Sequence, residues 1–417
     1  MTEERKTKEN SYMLAIPKHE EELKDIQLVM ERIINSEYFT VKDMGLSEDK
    51  VPYHEIEYKG ETYTFYIYPE DYQIPEMFRV AHFFSDVDVE EIDSRSVGLL
   101  VEMEFSENIL DSYHLQLKII HTIFPEVLGV LDYSAEKIIS GAWLMLAAKG
   151  NTPPAPRYIF TTQAVYQSDE DVWLHTHGLN RCGLMELEVL GSTKDTSSNH
   201  CHVIEAVAAR LIEEPDSFEE DGTMYVARLS NNQPLMATWL PWEDCMDTIE
   251  EGVLGGPADR EDEAGHNGYT GSLFVYTSPK NMEEGLVSHL SVYDELLADN
   301  PMYMMTNKET DRMKALARER VGHMKDAFEE FAETVLIKVG LTIDEEYQTE
   351  NNTKEHIWFE LQSITDDSFT AELTQEPYMV SGMHAGDVGT YSYDDITDWI
   401  VFTEDDRITP DEVYLMM

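Results

Sequence analysis

Cysteine is scarce in this chain. Its 417 residues include three, Cys182, Cys201 and Cys245, an odd and scattered set that excludes a disulfide framework as the basis of the fold. Basic residues are also few. Thirty lysines and arginines stand against 83 acids, for a net charge of -53. A charge of that sign repels nucleic-acid phosphate and anionic membrane surfaces, so neither a nucleic-acid nor a membrane partner is expected. It suits a basic protein partner instead. No apolar run approaches the ~20 residues of a membrane-spanning helix; the longest lies within "ISGAWLMLAAKG". The opening "MTEERKTKENSYMLAIP" carries no apolar signal core, and the expected location is cytoplasmic. Several motifs are missing as well: C-x-x-C, H-E-x-x-H, G-x-S-x-G, the phosphate-binding loop and the dinucleotide fingerprint. The enzyme classes they mark have no support here.

Apolar side chains are ample. The chain is 42% hydrophobic and 10% aromatic, enough for packed cores, and its length points to two or three domains. Strand and helix patterns alternate irregularly, which reads as an α+β fold of small mixed-sheet and helix domains with a small β-rich domain at the C-terminus. The expected layout is an N-terminal α+β domain over residues 1–92 and a central α+β domain over 93–300. A long connecting helix over 301–340 and a β-rich domain over 341–417 complete it. Lys59-Gly60 between alternating apolar runs predicts a two-residue hairpin. A helix is expected over residues 134–149, and another from Lys308 to Lys338. The glycine- and charge-rich stretch 251–271 reads as a surface loop, an insertion or a lid over a ligand.

The densest chemistry lies in "WLHTHGLNRCGLMELEVLG", Trp173 to Gly191. His175 and His177 are i and i+2 on a strand and share a face, so both imidazoles can reach one ion. With Cys182 and His202 they form the candidate zinc ligands of a metal-dependent hydrolase, although their spacing matches no established zinc motif. Otherwise no cofactor is expected. Glu186 and Glu188 also share a face. Met185, Leu187 and Val189 form the apolar face opposite, so the two glutamates are expected on the wet side of a half-buried strand. Gly178 and Gly183 flank a tight loop in which Arg181 is the single base, able to clamp an anion but expected to pair with a nearby acid.

Two resemblances follow from these residues. "EHIWFEL" (Glu355 to Leu361), "GDV" (Gly386 to Val388) and "DDITDWI" (Asp394 to Ile400) resemble the family catalogued as domain of unknown function 2314. The preceding three quarters resembles the bacterial family catalogued as domain of unknown function 4026 through "LHTHGLNRCGLMELEVLG". There the pattern T-x-G-L followed by G-x-x-E-x-E falls on Thr176, Gly178, Leu179, Gly183, Glu186 and Glu188. The resemblance implies no established activity and no catalytic residue. It centres on Thr, Gly, Leu and Glu rather than on the histidines, which favours architecture or binding at Thr176, Gly178, Arg181, Gly183, Glu186 and Glu188. Similar domains are associated with bacterial immunity and stress contexts. The expectation is therefore a non-catalytic, acidic protein-binding module, with a metal-dependent hydrolase or a small-ligand sensor as the alternatives.

Overall fold

The computed structural model describes residues 8–417 apart from 82–83, 219–221, 246–251, 261–268, 332, 350–352 and 405. Two compact units divide the chain: Met1–Ala148 with Pro154–Thr306, and Lys149–Pro153 with Asn307–Met417. Helix and strand are mixed within both, so the α+β expectation holds. Among the described residues, no helix is long and apolar enough to cross a membrane.

The first unit contains two sheets. One is antiparallel throughout, with strands β1 (Ser11–Pro17), β2 (Thr40–Leu46), β3 (Pro52–Tyr58), β4 (Glu61–Asp71), β5 (Val97–Met103), β6 (Val127–Asp132) and β7 (Lys137–Ser140) in the order β2-β3-β4-β5-β1-β6-β7. The β3–β4 turn forms as expected: Tyr58 pairs with Glu61, and Lys59 and Gly60 both take positive φ, 48° and 86°. A boundary between residues 92 and 93 would cut this sheet, because β5 pairs with β4 on one side and β1 on the other. The helix expected over 134–149 is shorter. Ile138 and Ile139, β-branched and buried, extend β7 against β6, and only Gly141–Lys149 is helical; branched side chains favour the pleated surface.

Ile109–Ile123 forms a helix buried on nearly every side. Buried polar groups favour internal partners, and Gln116 on this helix has them. Gln116 Nε2 donates to Val101 O at 3.0 Å, and Ser11 Oγ donates to Gln116 Oε1 at 2.6 Å.

The second sheet holds β8 (Thr161–Ser168), β9 (Asp171–His177), β10 (Glu186–Ser192), β11 (Met224–Arg228), β12 (Pro234–Pro241), β13 (Thr270–Tyr276) and β14 (Met302–Tyr303), in the order β14-β11-β12-β13-β10-β9-β8. Only β10 and β13 run parallel. That places β10 in the sheet interior, between β13 and β9. Of the 251–271 stretch, residues 251 and 261–268 lie outside the described residues. Pro257–Arg260 is a single helical turn whose Arg260 is buried.

The second unit is an antiparallel sheet of β15 (Thr334–Thr342), β16 (Lys354–Ile364), β17 (Ser368–Leu373), β18 (Val388–Ser392), β19 (Ile396–Phe402) and β20 (Arg407–Ile408), in the order β18-β17-β16-β15-β19-β20. The long helix expected over 308–338 is two helices, Asn307–Glu319 and Val321–Glu330. The chain then turns into β15, whose Val335, Ile337 and Val339 alternate inward. Trp399 of "DDITDWI" donates its indole N–H to Ala317 O at 2.9 Å, fastening helix to sheet. Glu355 of "EHIWFEL" accepts from the backbone N–H groups of Tyr378 and Met379 at 2.7 and 2.8 Å. Asp387 of "GDV" accepts from His384 N at 2.7 Å. The words that carry the resemblance thus brace the sheet and the loop before β18.

Candidate functional site

The loop between β9 and β10 is organised around one carboxylate. Glu186 Oε1 accepts from the backbone N–H groups of Gly178 at 2.9 Å and Asn180 at 3.1 Å, and Oε2 accepts from the Thr176 hydroxyl at 2.6 Å. Thr176 Oγ1 in turn accepts from Leu187 N at 2.8 Å. Burial pushes the Glu186 carboxyl up to about 7, and the four hydrogen bonds from Thr176, Asn180, Gly178 and Leu179 oppose that rise. Gly178 sits at φ 112°, where a Cβ would lie 2.8 Å from Ile159 O. Gly183 closes the short 3-10 turn Asn180–Cys182 in the left-handed region at φ 73°. Thr176, Gly178, Gly183 and Glu186 of the T-x-G-L and G-x-x-E-x-E pattern are therefore the parts of one loop anchor.

Neither glutamate lies on a wet face. Glu186 is 9% exposed and Glu188 0%, which corrects the expectation from alternation. Strand β10 is flanked on both sides, and its polar face is covered by protein. Glu188 accepts from Arg260 at 2.6 Å, from the Trp173 indole N–H at 3.0 Å, and from the Ser272 hydroxyl. Arg260 also donates from Nε to Gly255 O at 2.7 Å, and its guanidinium lies over the Trp173 and Trp242 rings at 5.1 and 4.4 Å. Sequence reading placed Arg260 in an unstructured loop and missed it. The available signal was the shortage of bases, which makes any arginine a candidate partner for a buried acid.

Arg181 does pair with an acid, but a distant one. Its guanidinium makes a two-pronged ion pair with Asp132 at the end of β6, at 2.8 and 3.0 Å, and donates to Ser11 Oγ at 3.0 Å and to Ile159 O. Both side chains of the pair are wholly buried. Burial alone would lower the Arg181 pKa, but Asp132 outweighs it and the value rises. The pair ties the first sheet to the β9–β10 hairpin, and Phe105 and Tyr113 lie within 5.5 Å of the guanidinium carbon. Nearby, burial brings the Lys137 amine down to about 7 while it donates to Tyr158 O and Phe160 O.

His175 and His177 share a face with Trp173 as their spacing requires. Ring centroids are 4.4 Å apart for Trp173–His175 and 4.9 Å for His175–His177. Glu136 from the β6–β7 turn lies 3.6 Å from His177 Nδ1. The other proposed ligands go elsewhere. Cys182 turns its thiol to Gly178 O, and burial raises it to about 12, far from a thiolate. His202 is exposed on the helix Ser197–Glu213 with its ring near Tyr303. Among the described residues, no three His, Cys, Asp or Glu side chains are grouped to hold a metal. One constellation escaped the sequence reading: Ser192 Oγ meets His200 Nδ1 at 2.8 Å, and His200 Nε2 meets Asp294 Oδ1 at 2.8 Å. Ser192 is 1% exposed and His200 0%, so this relay pins a helix to a strand and offers no accessible nucleophile.

Between the two sheets of the first unit lies a partly enclosed cavity of about 230 Å³. His175 and His177 line it from β9, Glu136 and Tyr133 from the β6–β7 side, and Tyr12 and Glu9 from the start of the first sheet. Arg181, Arg260, Glu186 and Glu188 also touch it. The cavity gathers Thr176, Gly178, Arg181, Glu186 and Glu188 of the candidate binding residues and the two strand histidines, but not Gly183, Cys182 or His202.

Three family models match the chain. Protein of unknown function (DUF4026) N-terminal covers residues 11–154, and Protein of unknown function (DUF4026) C-terminal covers 162–274. Uncharacterized protein conserved in bacteria (DUF2314) covers 299–410. The first sheet coincides with the first match. The third begins before residue 341, because the helices ahead of β15 are part of the same domain. No curated protein and no solved structure matches.

Proposed function

We propose that this chain, which belongs to the DUF4026 family over most of its first unit and carries a DUF2314 domain after it, binds a small polar ligand and acts as a sensor of it. The observation that supports this reading is the cavity between the two sheets. It is concave and lined by convergent polar and aromatic groups, and the buried ion pairs around it hold its walls in place before any ligand arrives. The anchored hairpin loop supplies one wall and the β6–β7 turn another. A thermal-shift panel of small cations, anions and neutral polyols on the full chain tests it. One class should raise the Tm, and His177→Ala, at the cavity wall, should reduce the shift. A panel without any shift, or one untouched by His177→Ala, ends the reading.

A second reading, compatible with the first, keeps the chain as an acidic partner of a basic protein. Its support is the net charge of -53. Such a complex should form at low salt and dissociate as NaCl is raised; its absence at low salt removes the reading. The zinc-hydrolase alternative has less support, since of its four ligands only His175 and His177 approach each other.

A further inference from the structure

We propose that the cavity selects a small cation bearing ammonium or guanidinium groups. This rests on the reading of the cavity as a ligand site and adds the class of ligand. The ligand class follows from which lining groups already have partners. Arg181 is matched by Asp132 and Arg260 by Glu188, so both cations are neutralised within the protein. Glu186 is turned to the backbone N–H groups of the hairpin loop. Two lining carboxylates differ. Glu136 accepts from Gln163 Nε2 at 2.8 Å and faces the His177 ring, and among the described residues no lysine or arginine pairs with it. Glu9 stands exposed at the mouth, again without an ion pair among the described residues.

The wall therefore carries net negative charge in a recess where protein replaces much of the solvent, which concentrates cations. Tyr12 and Tyr133 border the same space, and aromatic side chains beside a site favour cations over anions. Among the described residues lining the cavity, anions would meet Glu136 and Glu9 with no unmatched arginine to receive them. The volume of about 230 Å³ falls below the ~300–1,000 Å³ of drug-sized pockets. That suits an aliphatic diamine or a guanidine rather than a nucleotide.

Isothermal titration of the full chain with putrescine and agmatine tests this, with succinate and butanediol as four-carbon counterparts of opposite and no charge. Binding of putrescine or agmatine alone is expected. Glu136→Gln, close in shape and placed on a surface turn, should weaken it at least about tenfold. Unchanged affinity in Glu136→Gln overturns the proposal. So does binding of succinate or butanediol in place of the amines; if that binding falls in His177→Ala, the cavity remains a ligand site and only the class is wrong. Zinc binding with both amines silent also overturns it and returns the histidines to the metal reading. Silence from all of these probes overturns the cation class, while the thermal-shift panel separately decides whether the cavity binds anything.

Discussion

Glu186 is a buried acid whose described partners are all donors, and its proton decides how well they are served. Its ordinary value is 4.5 and its folded value about 7, so the folded state holds the proton more tightly than the unfolded one. The stabilisation from that proton is present in full below about 4.5 and is lost as pH rises through about 7. Glu186→Gln imitates the protonated form: its carbonyl keeps the Gly178 and Asn180 N–H groups, and its amide can donate to Thr176. Urea unfolding at pH 5 and pH 8 should show the variant gaining on the parent by on the order of 2 kcal/mol at the higher pH. An equal difference at both would mean that burial does not govern this carboxyl. Arg181 poses the opposite case. Arg181→Leu leaves Asp132 buried without its cation and should cost roughly 3–5 kcal/mol. Adding Asp132→Asn should restore much of that in the same urea titration, because the orphaned charge is then gone.

At the scale of elements, the two loop glycines should answer alanine differently. Gly178→Ala combines φ 112° with a Cβ placed 2.8 Å from a backbone oxygen, and a loss of more than about 2 kcal/mol is expected. Gly183→Ala at φ 73° meets only the Lys8 side chain at 3.7 Å and should cost about 1–2 kcal/mol. Thermal melts that reverse this order would contradict the loop geometry. Elements governed by neighbours in sequence were legible. The Lys59-Gly60 turn follows from local φ preferences, and His175 and His177 share a face because strand geometry requires it. The β9–β10 hairpin was likewise legible as strand, tight loop and strand. What escaped depends on distant partners. The Glu-Leu-Glu alternation of β10 is the same whether the polar face meets water or an arginine, and Arg260 arrives from 72 residues away. The strand β7 was hidden because Ile138 and Ile139 precede a true helix and fit its apolar pattern. The break after Glu319 was hidden because apolar spacing continues across it. Glu136, the wall residue on which the ligand class turns, sits in a turn with no motif around it.

For the whole molecule, 83 acids against 30 bases mean that compactness works against self-repulsion. Screening should relieve it. Raising NaCl from about 0.02 to 0.5 M shortens the Debye length from roughly 20 Å to about 4 Å. The Tm should rise by about 2–4 °C for each kcal/mol of repulsion removed. A fall in Tm over that range would show that short-range ion pairs dominate instead. The buried pairs are insulated from salt, and the one between Asp132 and Arg181 crosses from the first family domain to the second. Residues 162–274 expressed alone would carry an arginine shaped for an absent carboxylate, and residues 11–154 alone the reverse. Each fragment should aggregate or remain unfolded where residues 8–306 stay monodisperse in size-exclusion chromatography. The two segments that sequence separates are thus tied into a single heritable piece. A lineage could change Asp132 or Arg181 only by changing both, and recombination between them would join halves that no longer recognise each other.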